Sequence, residues 1–239
     1  MLKPGFEAPR ATDRPAAVRD RRRAGPALEE IVRTLEEDII FGRLKPRERL
    51  VEDALMERLG VTRHLVRQAL FELERMGIVA RTRNKGCAVR YFPPAEVEQI
   101  YEVREVLQAH AARRIALPAP GSLIEALSAI HARHSRAVDT GGLGAVYRLN
   151  NEFHNTLFGA CGNPHLVQAI AHYAWLAHAI RSYRIADPAL LRQARAEHAA
   201  MIEALRRGDR AALVRLCVEH IRPSKEAYLA LEKVAAENA

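Results

Sequence analysis

The sequence contains few cysteines and no long apolar run. Its three cysteines, Cys87, Cys161 and Cys217, are odd in number and have no CxxC spacing. We therefore expect free thiols rather than a disulfide framework or a thiolate metal cluster. No apolar run approaches the roughly 20 residues that a membrane-spanning helix needs, and the first residues lack the apolar stretch of a signal peptide. These absences argue against a disulfide-rich secreted protein and a membrane protein, and they predict a cytoplasmic one.

Positive charge is in excess, and it is unevenly distributed. The 239 residues carry a net charge of +8. The stretch from Arg58 to Arg90 holds eight Arg or Lys and two Glu, whereas residues 91–239 hold 17 basic and 15 acidic residues. A local basic surface of this kind is typical of a protein that binds a phosphate backbone.

One stretch, VTRHLVRQALFELERMGIVA from Val61 to Ala80, predicts an amphipathic helix followed by a strand. Its apolar residues recur at three- and four-residue steps, so one helical face packs and the opposite face is free to bind. Thr62 stands at the position of an N-cap, and Gly77 follows where a helix C-terminus favours glycine. The packed residues are Val66, Ala69, Leu70 and Leu73, and the opposite face carries His64, Arg67, Gln68 and Arg75.

The neighbouring segments predict a winged helix-turn-helix. Two helices precede the Thr62 helix, over 27–41 and 51–59, and Gly60 ends the second. Helix, glycine turn and helix is the spacing of a helix-turn-helix. Two β-like runs follow, Ile78–Arg83 and Cys87–Tyr91, and the residues between them predict a hairpin that forms the wing.

The rest of the chain predicts a helical bundle. After a short stiff linker at residues 92–94, no further strand pattern occurs, and glycine and proline separate the helices of an antiparallel bundle. The six predicted helices span 95–116, 121–138, 143–161, 164–185, 188–207 and 210–233. The predicted organisation is a disordered basic arm (1–26), a DNA-binding domain (27–91), the linker and a helical domain (95–235).

Residues 27–90 resemble the DNA-binding domain of the GntR family of bacterial regulators. The matching residues are IIFGRLKP, the acidic Glu52, the run LGVTRHLVRQALFELERMGIV and the wing glycine followed by Val89. An arginine fork suits guanine or phosphate, and a helix N-terminus suits a phosphate oxygen. The resemblance implies a double-stranded DNA partner, contacted by Thr62, Arg63, His64, Arg67, Lys85 and Gly86.

Residues beyond the linker resemble the FCD ligand-binding domain of the FadR subfamily, in its VanR-type branch. The matching segments are VREVLQAHAARRIA, NNEFHNTLFGACGNPHL, EHAAMIEALRRGDRAAL and EHI. The resemblance implies a divalent transition metal, zinc or nickel, held by Asn150, His154, His198 and His220. Asn150 stands where the family usually has a carboxylate, and a neutral amide is a weaker ligand.

The resemblance also implies that Arg104 binds a small carboxylate effector, because a buried guanidinium recognises a carboxylate bidentately. The resulting hypothesis is a homodimeric transcriptional repressor that binds an inverted-repeat operator and responds to an organic acid. One alternative is an architectural DNA-binding dimer without an effector. Another is a metal-dependent enzyme, although no HExxH motif and no nucleophile constellation accompanies the histidines. A TetR-like regulator would lack the predicted hairpin.

Overall fold

The computed structural model describes residues 28–82, 86–177, 180 and 187–237. The predicted basic arm, Lys85 and the end of the predicted 164–185 helix lie outside these residues. The described chain is mostly helical with one small sheet, which confirms the predicted fold class. Among the described helices, none is both long enough and apolar enough to cross a bilayer.

The N-terminal part is built from three helices and three strands. The helices are α1 (Leu28–Ile40), α2 (Glu52–Leu59) and α3 (Arg63–Arg75), and the strands are β1 (Arg49–Leu50), β2 (Val79–Thr82) and β3 (Gly86–Val89). The strands form an antiparallel sheet in the order β1-β3-β2. The apolar stripe of α3 is buried against α1 and the sheet, so that Val66 and Leu73 are fully enclosed.

The sequence analysis predicts no strand between the helices at 27–41 and 51–59, but the structure forms β1 there. Arg49 pairs with Ala88 and Leu50 with Cys87, so the wing is part of a three-stranded sheet rather than an isolated hairpin. Two residues are too few to show an alternating pattern, and their pairing with β3 is a long-range contact.

The ends of α2 and α3 follow the sequence signals. The Thr62 hydroxyl accepts a hydrogen bond from the Leu65 backbone N–H at 3.5 Å, as an N-cap does. Gly60 and Gly77 adopt φ values of 65° and 74°, in the left-handed region that favours glycine. These local signals fix where α2 ends and where α3 begins and ends.

The C-terminal part is a bundle of helices around a large apolar core, with a second, smaller buried cluster that includes Phe92, Tyr101 and Tyr228. Its described helices are α4 (Pro94–Arg114), α5 (Gly121–Asp139), α6 (Leu143–Gly159), α7 (Pro164–Leu176), α8 (Pro188–Arg207), α9 (Arg210–Glu219) and α10 (Arg222–Glu237). The predicted helix 210–233 is therefore two helices, with a break at His220 and Ile221. Pro223 explains the break, because proline has no N–H for the helix ladder and its ring clashes with the carbonyl four residues earlier.

Candidate DNA-binding surface and bundle cavity

The exposed face of α3 carries most of the predicted DNA contacts. Thr62, Arg63, His64 and Arg67 are all exposed, and they lie at the N-terminal half of the helix. Phe71 continues the same face and is 56% exposed, although it is large and apolar. The structure therefore brings four of the six predicted DNA contacts together on one surface.

Two acidic residues of α2 hold the arginines of this surface. Arg67 donates from Nε to both carboxylate oxygens of Glu52, at 2.9 and 3.0 Å. Arg63 pairs with Asp53 and lies 3.5 Å from Glu52. Both bonds of Arg67 use Nε, so Glu52 does not occupy the two Nη groups, and the side chain is 60% exposed. Glu52 thus orients the group that the sequence predicts to meet DNA.

The wing contributes a second basic edge. Gly86 begins β3 with φ of 81°, a conformation that favours glycine, and it is exposed. Arg49 of β1 lies beside Gly86. Its Nη2 atom is 3.8 Å from the position that a Cβ atom at residue 86 would occupy. Sequence reasoning missed Arg49 because it missed β1. Lys85, the remaining predicted contact, is outside the described residues.

The bundle contains a cavity of about 740 Å³. This volume is in the usual range for a small-molecule site. Arg33, Glu36 and Glu37 of α1 form one part of its wall, so the helix that packs against α3 also borders the cavity. The sole tryptophan, Trp175, lines it as well.

Arg104 lies at the wall of this cavity in a buried position. It is 5% exposed, and its Nε and Nη1 groups have no hydrogen-bond partner among the described residues. Its guanidinium carbon stands 4.6 Å from the ring centre of Tyr101. Burial lowers the pKa of the Arg104 guanidinium from its ordinary value. A buried arginine with unsatisfied N–H groups is a strong site for an anion.

Three histidines from distant segments meet beside the cavity. His154 comes from α6, His198 from α8 and His220 from the break between α9 and α10. The Nε2 atoms of His154 and His220 are 3.0 Å apart, and those of His154 and His198 are 3.3 Å apart. His154 and His220 line the cavity, while His198 is fully buried behind them. Asn150, the other predicted ligand, lines the cavity one turn before His154.

The spacing of these nitrogens suits a metal ion. Two nitrogens bound at about 2.1 Å to one ion stand roughly 3.0–3.4 Å apart for angles of roughly 90–109°. A neutral imidazole carries one N–H, so a single N–H on His154 satisfies only one of its two close Nε2 contacts. A shared cation would satisfy all three nitrogens. The residues present therefore fit a divalent transition metal.

Further histidines surround the cluster. His134 and His131 of α5 lie next to His198, with ring centres 5.0 and 6.4 Å from its ring. Phe153 stacks on His198 at 4.1 Å and fixes its orientation. Burial and the neighbouring imidazoles hold the pKa of His198 well below its usual value, which keeps the ring neutral and able to bind a metal. The HxxH spacing of 131 and 134 was the only sequence signal for these neighbours.

Direct contacts join the N-terminal part to the cavity. The Tyr147 hydroxyl of α6 donates to the Glu36 carboxylate of α1 at 2.7 Å. Arg148 donates to Glu37 at 2.8 Å, and the Tyr147 side chain packs on Ile40. Both contacts start from the segment of α6 that precedes Asn150 and His154. Helix α6 therefore contacts both the cavity and the N-terminal part.

An exposed basic helix in a winged fold, joined to a bundle with a ligand-sized cavity, defines a DNA-binding regulator with an effector domain. Comparison with known families is consistent with this class. Residues 27–89 match the bacterial regulatory proteins of the gntR family, and residues 99–223 match the FCD domain. The chain belongs to the GntR family of transcriptional regulators and carries an FCD effector-binding domain, which confirms both resemblances and the expectation that it is not an enzyme.

Relatives and solved structures agree with this assignment. The chain is 28% identical to the HTH-type transcriptional regulator YdhC of Bacillus subtilis (strain 168) over 62% of its own length and 66% of the relative's. It is 29% identical to the Nta operon transcriptional regulator of Aminobacter aminovorans over 53% and 60% of the two chains. Each match therefore spans less than two thirds of the relative's length.

The fold is also similar to that of solved regulators. The E. coli protein McbR/YncC superimposes with a TM-score of 0.73 at 18% identity, over 86% of this chain and 98% of that one. A GntR-type protein from Rhodococcus sp. RHA1 gives a TM-score of 0.70 at 19% identity, over 85% and 97%. At this level of identity the likeness shows the fold alone.

Proposed function

We propose that this regulator binds an inverted-repeat operator as a homodimer in the cytoplasm and represses transcription until an organic acid enters the bundle cavity. One observation carries the proposal: a cavity of ligand size is bordered by the bundle and by α1 of the DNA-binding part. A ligand there can bias the position of the DNA-binding part directly. The functional units are residues 27–91 and 95–235, joined by the linker at 92–94.

The proposed DNA contacts are the exposed residues Thr62, Arg63, His64 and Arg67, together with the wing residues Lys85 and Gly86. A two-fold dimer presents two such surfaces to successive major-groove half-sites, so the operator has matching symmetry. The exposure of four of these residues on one face of α3 supports the assignment.

Arg104 is the proposed binding group for the acid. Two of its nitrogens are buried without a partner among the described residues, and a carboxylate would satisfy them with charge-assisted hydrogen bonds. Leaving such groups unsatisfied costs free energy, which binding would recover. The expected effector is therefore an anion small enough for the cavity.

The proposed metal ligands are His154, His198 and His220, with Asn150 as a weaker fourth ligand, and the proposed metal is zinc or nickel. When bound, a divalent ion would supply a positive charge that a carboxylate can coordinate. The converging Nε2 atoms support this part of the proposal.

Helix α6 is the proposed connection between the cavity and DNA binding. Movement of Asn150 or His154 is transmitted along the helix to Tyr147 and Arg148, and so to their partners on α1. The ligand's effect on the free energy of operator binding cannot exceed the difference between its binding free energies for the DNA-bound and the DNA-free arrangements of the protein.

A combined binding experiment tests the proposal. Purified protein, stripped with a chelator, is titrated with Zn²⁺ or Ni²⁺ and then with small carboxylic acids, while melting temperature and Trp175 fluorescence are recorded. A ligand at a hundredfold excess over its Kd adds roughly 2.7 kcal/mol to the stability of the folded state. His154→Ala should abolish the metal-dependent shift, and Arg104→Ala should abolish the acid-dependent one.

The matched control is His165→Ala, which removes an exposed histidine outside the cavity wall. Operator affinity is then measured by fluorescence anisotropy with and without metal and acid. Operator binding that ignores every acid and every chelator would contradict the proposal and favour an architectural DNA-binding dimer.

A further inference from the structure

A carboxylate stands directly behind one of the three clustered histidines. Glu197 Oε2 lies 2.6 Å from Nδ1 of His220, and Glu197 Oε1 accepts a hydrogen bond from Gln193 at 2.8 Å. The Glu197 side chain is 16% exposed and that of His220 is 5% exposed, so the contact is largely shielded from water. Glu197 precedes His198 on α8. Two adjacent residues of α8 therefore contribute to the cluster: His198 is one of its histidines, and Glu197 contacts another, His220.

This contact decides which nitrogen of His220 carries the proton. An ionised carboxylate only accepts hydrogen bonds, so Nδ1 of His220 is the donor, and in the neutral ring Nε2 keeps its lone pair. Nε2 is the atom that faces His154 at 3.0 Å. His220 lies in the break between two helices, where a regular helix does not hold its ring. The hydrogen bond to Glu197 supplies that orientation.

The charge of Glu197 also matters for this particular chain. Three neutral imidazoles and the amide of Asn150 leave the charge of a divalent ion uncompensated among the proposed ligands. A carboxylate that accepts from a ligating histidine raises the basicity of the ring and offsets part of that charge. Glu197 is placed to do both.

We propose that Glu197 is a positioning residue for metal binding: it fixes His220 with Nε2 toward the ion and supplies the negative charge that Asn150 does not. This inference rests on the proposed metal function of the histidine cluster. It assigns to α8 a second role besides providing His198, and it would let the site bind a divalent ion without a ligating carboxylate.

Two substitutions separate the roles of charge and orientation. In Glu197→Gln, the amide oxygen can still accept from Nδ1 of His220, but the charge is lost. Glu197→Ala removes both the hydrogen-bond acceptor and the negative charge. The matched control is Glu203→Gln on the same helix, which removes a carboxylate that is 45% exposed and paired with Arg207. Exposed charges of this kind are screened by salt and act weakly at a distance.

The probe is Co²⁺ alone, titrated into the stripped full-length protein and into its variants, with Zn²⁺ affinity measured by competition against a chromophoric chelator. Mutation of the hydrogen-bond partner of a metal-ligating histidine typically lowers metal affinity roughly 10- to 100-fold. We expect a loss of about tenfold for Glu197→Gln and up to about 100-fold for Glu197→Ala, with an altered Co²⁺ absorption spectrum. Glu203→Gln should stay within about twofold of the wild type.

A second readout needs no metal. Long-range ¹H–¹⁵N spectra of the histidine side chains in the stripped protein report the tautomer of each ring. We expect the Nδ1–H form for His220 in the wild type and in Glu197→Gln, and a shift away from it in Glu197→Ala. An Nε2–H form in the wild type would overturn the inference.

The outcomes distinguish this inference from the function on which it rests. If the wild type binds Co²⁺, His154→Ala abolishes binding, and both Glu197 variants bind as the wild type does, the inference is wrong and the metal function stands. If the wild type binds neither Co²⁺ nor Zn²⁺, the metal function itself fails, and the inference fails with it.

Discussion

Replacing Arg67 with alanine removes one guanidinium from the exposed face of α3. In the structure this group is 60% exposed, and both of its hydrogen bonds to Glu52 use Nε. Glu52 therefore does not occupy the two Nη groups, and a guanidinium of this kind can contact a guanine bidentately. We expect Arg67→Ala to weaken binding to the preferred operator.

The magnitude follows from the type of contact that is lost. A bidentate arginine–guanine pair contributes about 1–3 kcal/mol of discrimination, which corresponds to roughly a 5- to 150-fold loss of affinity. The exposed pair with Glu52 contributes at most about 1 kcal/mol to folding, so the melting temperature should hardly change. An effect on DNA without an effect on stability is the expected signature.

The assay begins with selection of preferred duplexes from a randomised pool by the wild-type protein. Fluorescence anisotropy then gives Kd for the selected operator and for single-base variants at several salt concentrations. If Arg67 contacts a base, the variant should lose its base preference at one position of the operator. If Arg67 contacts a phosphate, the variant should lose affinity for all sequences equally, and the slope of log affinity against log salt concentration should be smaller by about one. The matched control is Arg207→Ala, which removes a positive charge from an exposed site in the bundle.

An unchanged affinity and an unchanged base preference in Arg67→Ala would refute the assignment of α3 as the recognition helix. A uniform loss with the reduced salt slope would refute base reading by this residue while keeping it at the DNA backbone.

Three other predictions follow from burial and contacts. Tyr147→Phe removes the donor to Glu36, a charged hydrogen bond of about 1.5–3 kcal/mol. We expect the ratio of operator affinities with and without Zn²⁺ to fall by up to about tenfold at unchanged Zn²⁺ affinity; an unchanged ratio would exclude this route. Leu73→Ala opens a cavity at a fully buried residue and should cost about 2–5 kcal/mol in urea unfolding. The exposed Phe71→Ala should cost less than about 0.5 kcal/mol, and equal losses would contradict the packing. Burial raises the pKa of Cys217 to about 12, so native protein should resist iodoacetamide at this residue at pH 8, and rapid labelling would show that the site opens.

Much of the DNA-binding part could be predicted because its signals are local. The apolar spacing around Leu73, the Thr62 cap and the left-handed glycines at 60 and 77 act within a few residues of each other. The structure confirms each of them. The resemblance to known families located the histidine set for a different reason, since residue types at fixed spacings identify a family without any calculation of packing.

The features that sequence reasoning missed depend on contacts between distant segments. Strand β1 exists only because Arg49 and Leu50 pair with β3. The break at His220 is a local effect of Pro223, but its consequence, the contact with Glu197, requires α8 and α9 to pack side by side. The contact between His134 and His198 likewise requires α5 and α8 to pack side by side.

The sequence by itself determined most of the helices, the cap at Thr62, the exposed basic face of α3 and the membership of a regulator family, because periodicity, capping and motif spacing are local properties of the chain. Only the tertiary structure decided that three histidines converge, that a carboxylate orients one of them, and that α1 borders the cavity through Glu36 and Glu37. Such arrangements depend on how whole helices pack, and no short stretch of sequence encodes the direction in which a distant helix will approach.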